Sequence, residues 1–181
     1  RAAYLDPNPV IMFEHKGLYW SKVAGTELAK TPEPSEDYVI PFGKARMVLE
    51  ADNDKVENGQ SVGVVTYGMG VYWALNAAKN LKGQVEIIDL RTLAPYDENA
   101  IFELTKKHGK VLVLTEETLR NSFAEALAGR IGQECFQYLD APVQTLGSKD
   151  IPAVPLNMGM EAQMLPNADK VLERLNWLIN Y

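Results

Sequence analysis

At 181 residues the chain is long enough for one domain with a full core plus an appendage, and its 46% hydrophobic and 23% charged residues are ordinary for a globular protein. A net charge of −6 argues against a nucleic acid held through its phosphates and favours a basic partner surface. No apolar run approaches the roughly 20 residues of a membrane helix, and a single cysteine, Cys135, excludes a disulfide framework within the chain. In chain order, residues 1–8 (RAAYLDPN) read as the tail of a helix followed by a turn, because Pro7 and Pro9 bracket Asn8. Residues 9–14 (PVIMFE) read as a strand. Residues 15–45 carry Pro32, Pro34 and Pro41 among polar residues, with Tyr19, Trp20, Tyr38 and Phe42 interspersed. That is a semi-extended linker that docks its aromatics on a surface, and the domain boundary falls inside it.

From Arg46 the pattern is regular. ARMVLE is a strand, ADNDKVENGQ a polar turn, and SVGVVTY (61–67) a buried strand. A helix over Met69–Leu81 is closed by Gly83, and QVEIIDL is the next strand. Asp97 caps a helix that reaches His108 and is closed by Gly109. KVLVLTEE (110–117) is a further apolar strand. Asn121 or Ser122 caps SFAEALAGRIGQECF, a helix containing Cys135, whose thiol is expected to be buried and inert. APVQTLG (141–147) is the last strand. A proline-containing loop leads to a final helix, where Val171, Leu172, Leu175, Leu178 and Ile179 recur at helical spacing. Strands alternating with helices over 46–181 predict an α/β fold: a three-layer α/β/α sandwich around a mostly parallel five-stranded sheet.

Four places carry chemistry. In QVEIIDLRTLAPYD, Asp89 and Arg91 lie at the carboxyl end of a buried strand, where open α/β sheets place their working surface; the alternative is a local pair that finishes the strand. Tyr67-Gly68-Met69-Gly70 lies between a strand and a helix, with Asp89 roughly 20 residues on, as in a dinucleotide-binding fold. Trp73 stands where the third glycine would be, which favours a tight turn whose glycines relieve sterics. Glu116 and Glu117 end a strand and offer paired carboxylates for acid–base work, for a solvated edge or for an interface. His108 stands at a helix C-terminus, where a cation is favoured, and His15 beside Glu14 and Lys16 reads as structural. No P-loop, CxxC, HExxH or GxSxG occurs.

DLRTLAPYD (89–97), NPVIMFEHKGLY (8–19), YVIPFGKARMVLEA, VTYGMGVYWALNAA, VLVLTEE and CFQYLDAPVQTLGSKDIPAVP occur in one order and at one spacing. Together they resemble the transketolase-like C-terminal domain of the β subunit, or β half, of thiamine-diphosphate-dependent 2-oxo acid dehydrogenases. The branched-chain, 2-oxoisovalerate type is nearest and pyruvate dehydrogenase is next. The resemblance implies that residues 1–15 are a remnant of a pyrimidine-binding domain, 16–45 an interdomain linker and 46–181 the transketolase C-terminal-like domain. With Arg1 in place of an initiating methionine, the chain is expected to be a piece of a larger cytoplasmic polypeptide. The parent would decarboxylate a 2-oxo acid and reductively acylate a lipoyl group with thiamine diphosphate and magnesium. The cofactor-activating glutamate and active-site histidine would lie upstream, leaving no catalytic or cofactor-binding residue in this piece, which alone should be inactive. Ala3, Asp6 and Asn8 match a turn that supplies oxygen ligands to potassium in branched-chain relatives; turn formation by Asp6 and Asn8 is the alternative. The implied partners are an α subunit or α half, a second β copy, and the subunit-binding domain of a lipoyl acyltransferase. Asp140 and the Tyr181 carboxylate would bind that last partner, with Gln144 neutral where some relatives are acidic; the alternative is that Asp140 only punctuates the entry to a strand. Two readings of another class remain: a dinucleotide-binding domain and a stand-alone interaction module.

Overall fold

A computed structural model describes residues 1–20 and 23–181; positions 21 and 22 of the expected linker lie outside it. Five strands form one sheet: β1 (Arg46–Leu49), β2 (Val62–Thr66), β3 (Val85–Asp89), β4 (Val111–Thr118) and β5 (Gln144–Ser148), in the order β1-β3-β2-β4-β5. All neighbours pair in parallel except β1, which runs antiparallel to β3 along the edge. The helices are α1 (Ala2–Leu5), α2 (Asn53–Glu57), α3 (Met69–Ala78), α4 (Glu98–His108), α5 (Phe123–Glu134), α6 (Met158–Met164) and α7 (Ala168–Ile179).

The three central strands carry the apolar stretches Val62–Val65, Ile87–Ile88 and Val111–Leu114 because both of their faces are covered there. Val64, Ile87, Leu112 and Leu114 point to one side, where Ala74 and Ala77 of α3 and Val171, Leu175 and Leu178 of α7 bury them. Val65, Ile88 and Val113 point to the other, against Ile101 and Leu104 of α4 and Ala124, Leu127 and Ile131 of α5. The two side-chain sets alternate along each strand, as the period of two requires, and yield the expected three-layer sandwich.

Most helix ends follow their side-chain chemistry. Asp97 accepts from the Ala100 N–H at 3.3 Å, Ser122 Oγ from Glu125 N–H at 3.0 Å, and Asn167 Oδ1 from Lys170 N–H at 2.9 Å. Gly109 adopts φ 64°, and its N–H donates to Thr105 O at 2.9 Å, closing α4 in the left-handed conformation that glycine tolerates.

Several expectations need correction. Residues 9–14 form no strand: they run unpaired, with Ile11 82% and Phe13 89% exposed, because no described strand lies beside them. The stretch expected as a polar turn contains α2, and the proline-containing loop contains α6, whose first N–H groups are satisfied by Asn157. β5 begins at Gln144 rather than 141, since Pro142 has no N–H to give a ladder. Cys135 lies just past α5 as its cap, buried as expected, and burial pushes its thiol pKa up.

Candidate functional site

The carboxyl ends of β2, β3 and β4 bring together the charged residues that the sequence singles out. Asp89 closes β3, and its Oδ1 accepts from the Arg91 backbone N–H at 3.1 Å. Arg91 has φ 56°, unusual for a non-glycine residue, and its side chain is exposed. Burial pushes the Asp89 carboxyl pKa up, and the Arg91 N–H and the Arg91 and Arg46 charges partly oppose this. The short-range contact between Asp89 and Arg91 is thus a backbone turn that ends the strand.

At the end of β4 the two carboxylates part. Glu116 meets His15 of the N-terminal segment, with Oε2 3.1 Å from His15 Nε2, and its backbone carbonyl accepts from Ser148 Oγ of β5 at 2.5 Å. Glu117 accepts from the Tyr67 hydroxyl at 3.2 Å, and that hydroxyl is also 2.7 Å from Thr115 Oγ1. Burial first, then the neighbouring carboxylates, push the Tyr67 phenol up to about 12, against a lowering contribution from Thr115. Tyr67 and Tyr96 both pack edge-on against Phe123, at centroid distances of 6.0 and 5.8 Å, which holds this hydroxyl in place. Each carboxylate therefore has its own partner. The pair does not converge on a common reacting position, as acid–base catalysis would require.

The glycines after β2 have a steric reason. Gly68 adopts φ 58°, and a Cβ on Gly70 would collide with Thr66 Oγ1 and crowd Leu114. The turn is shaped by close helix–strand packing.

A Ser–His–carboxylate constellation exists, but it sits in the interior. Ser61 Oγ lies 2.7 Å from His108 Nδ1, and His108 Nε2 lies 3.5 Å from Glu86 Oε1, an electrostatic contact rather than a well-formed hydrogen bond. Lys107 Nζ donates to Glu86 Oε2 at 2.5 Å and the Ala51 N–H to the same oxygen at 3.3 Å. Burial alone would raise the Glu86 pKa, but His108, Lys107 and the Ala51 N–H outweigh it and hold the carboxyl at about 2. Ser61, Glu86 and His108 are each at most 3% exposed, so no substrate reaches the serine. Sequence reasoning misses this cluster. Its one signal is a glutamate inside the apolar run VEII, since a buried charge demands partners.

At the opposite, amino end of the strands lie Asp140 and the chain terminus. Asp140 is exposed, its N–H donates to Gly109 O at 2.8 Å, and its carboxylate lies over Gly109, where any Cβ would strike it. Lys110 Nζ donates to Ile179 O and to Gly59 O, each at 3.2 Å, and so fixes the end of α7 beside β4. Tyr181 is 62% exposed and packs against Trp177 at a centroid distance of 5.0 Å. Gln144 is occupied by Arg174, whose Nη1 donates to its Oε1 at 2.8 Å.

In the N-terminal turn, Asp6 Oδ1 accepts from both the backbone N–H and the side-chain amide of Asn8 at 2.9 Å. This is an Asx-type turn. With Ala3 it offers fewer oxygens than the six to eight of a typical hard-cation shell such as that of calcium. No cluster of three or more His, Cys, Asp or Glu side chains suited to a metal occurs among the described residues. No described helix is long and apolar enough to cross a membrane.

Strand order, the antiparallel edge strand and the two buried faces of the sheet define a three-layer α/β domain. The family model described as "Transketolase, C-terminal domain" matches residues 52–171, and the chain belongs to that family. It is 40% identical over 174 residues to the 2-oxoisovalerate dehydrogenase subunit beta of Bacillus subtilis, covering 94% of this chain and 49% of that protein. It is 36% identical over 176 residues to the pyruvate dehydrogenase E1 component subunit beta of Rhizobium meliloti, covering 96% of this chain and 35% of that protein. The chain thus spans half or less of the length of these relatives. A solved split-gene transketolase, described as an inactive beta4 tetramer, shares the fold, with a TM-score of 0.65 at 21% identity over 82% of this chain and 46% of that one.

Proposed function

We propose that this chain is the C-terminal, assembly-forming part of the β subunit of a thiamine-diphosphate-dependent 2-oxo acid dehydrogenase acting on branched-chain substrates. The observation that carries the reading is the 40% identity to a 2-oxoisovalerate dehydrogenase β subunit across 94% of the chain. Pyruvate is the second substrate to test, given the 36% identity to a pyruvate dehydrogenase β subunit. Thiamine diphosphate and magnesium belong to the parent enzyme. No catalytic step is assigned to this chain. A potassium ion at Ala3, Asp6 and Asn8 would need further oxygen ligands from elsewhere in the parent. Residues 1–15 belong to the preceding domain and 16–45 to the linker, and the parent works in the cytoplasm.

The partners are an α subunit, a second β copy and the basic subunit-binding domain of a lipoyl acyltransferase. The last docks at the amino end of the sheet, on Asp140 and Tyr181. The test is reconstitution of the full β subunit with its α subunit, followed by decarboxylation of 3-methyl-2-oxobutanoate and of pyruvate with an artificial electron acceptor. Faster turnover of the branched substrate is expected, and faster turnover of pyruvate reassigns the substrate. Turnover of neither, in an assembled complex supplied with cofactor, overturns the reading. Calorimetry on the isolated 181-residue chain should show no thiamine diphosphate binding, and titration with a nicotinamide dinucleotide no binding either.

A further inference from the structure

The segment between β5 and α7, residues 149–165, lies against the carboxyl ends of β4 and β5. An open groove of about 440 Å³ separates the two, lined by Glu116, Glu117 and Ser148 on the sheet side and by Val154, Glu161 and Met164 on the segment side. The segment has little apolar anchorage. Within α6 only Met164 is buried, while Leu156, Met158 and Met160 are 103%, 83% and 59% exposed. Among the described residues no other helix or strand packs broadly on α6. By hydrophobic burial alone such a segment should detach easily.

One polar device opposes this. Lys170, in the first turn of α7, aims its ammonium at the C-terminal end of α6. Its Nζ donates to Ala162 O at 2.9 Å, Gln163 O at 3.2 Å and Leu165 O at 2.5 Å. A helix C-terminus leaves its last carbonyls unpaired and carries partial negative charge. Three of those carbonyls converge on one cation that comes from another helix. A fourth, Met164 O, accepts from the Lys149 N–H at 3.2 Å. The Asn167 side chain holds the Lys170 backbone N–H at 2.9 Å, which fixes the root of the lysine.

We infer that residues 149–165 form a flap over the carboxyl end of the sheet and that the Lys170 ammonium is the pin that holds the flap to the domain. The charge on Lys170 then sets the fraction of time the groove beside Glu116 and Glu117 is covered. Neutralising it opens the flap without touching either apolar core, since Lys170 belongs to neither. Among the described residues the one other salt link on the segment runs from Arg120 Nε to Asp150 Oδ2 at 2.9 Å, and both of those side chains are largely solvated.

Amide hydrogen exchange on the full 181-residue chain tests this. In Lys170→Met, amides of residues 158–165 should exchange about tenfold faster, the size expected when a charge-assisted contact is lost. Amides of β2 and β4 should keep their wild-type rates. Lys170→Arg, which keeps the charge and several donors, should restore most of the protection, and Lys149→Met should not raise exchange. Unchanged exchange in Lys170→Met overturns the inference. So does a rise spread evenly over α7 and the sheet, or a Lys170→Arg variant that behaves like Lys170→Met. None of these readouts depends on the substrate or partner assigned above.

Discussion

Glu86 is the residue whose chemistry has the plainest consequence. Its carboxylate is buried, hydrogen-bonded by Lys107 and the Ala51 N–H and set beside the His108 ring, and its pKa falls from an ordinary 4.5 to about 2. A depressed folded pKa means that ionisation favours the native state. The stabilisation is fully present above pH 4.5 and drains away as pH falls toward 2. A folded pKa that lies one pH unit below the unfolded one corresponds to about 1.4 kcal/mol, so the carboxylate contributes on the order of 3–4 kcal/mol at neutral pH. Glu86→Gln should lower unfolding stability by about that amount at pH 7, and the gap to wild type should close between pH 4.5 and pH 2. Urea denaturation across that range checks it, and a gap independent of pH would show that the charge is not what stabilises. The cluster is only half legible in the sequence. A glutamate in VEII signals a buried charge, but nothing local names Ser61 or His108 as its neighbours. The helix terminus that His108 occupies already accounts for a histidine there, so the sequence gives no reason to look for a second role.

At the scale of elements, Asp97 shows how one side chain serves two structures. It caps α4 through Ala100 N–H and also accepts from Ala45 N–H at 3.0 Å, which fixes the entry to β1. Thr92 Oγ1 adds a parallel tie to Gly43 N–H at 2.9 Å. An ordinary N-cap loss costs about 1 kcal/mol. Asp97→Ala also strands the Ala45 N–H, so about 2 kcal/mol is expected in chemical denaturation, with Asp97→Asn recovering most of it. The capping role can be read from sequence, because Asp97 precedes a helical period. The second role cannot, because its partner lies 52 residues away. The same limit explains which elements are legible. β2, β3 and β4 announce themselves as apolar runs because both faces are buried. α2 and α6 are short helices with few buried positions, so neither writes an amphipathic stripe. The antiparallel sense of β1 leaves no mark on RMVL. Residues 9–14 have the composition of a strand, but a strand also needs a neighbour, and pairing is not encoded within six residues.

For the whole molecule, the two ends of the sheet carry different kinds of polar chemistry. At the carboxyl end the charges are used internally, Glu116 on His15 and Glu117 on Tyr67, which ties the N-terminal segment to the domain. At the amino end Asp140 and Tyr181 stay exposed while the backbone beneath them is fixed by Gly109 and Lys110. Exposed charge on a rigid base suits an encounter surface: it orients a partner at little cost in ordering. The net charge of −6 points the same way, toward a basic partner. Rim charges each contribute less than about 1 kcal/mol and are screened by salt. On the proposed docking of a basic subunit-binding domain here, Asp140→Asn should weaken binding a few-fold at low ionic strength, chiefly through slower association. Tyr181→Ala removes the ring against Trp177, so its effect should be larger and persist in salt. Association and dissociation rates for both variants of the full β subunit, at low and high salt, decide the matter. If neither variant changes affinity or its salt dependence, the amino end of the sheet is not the docking surface.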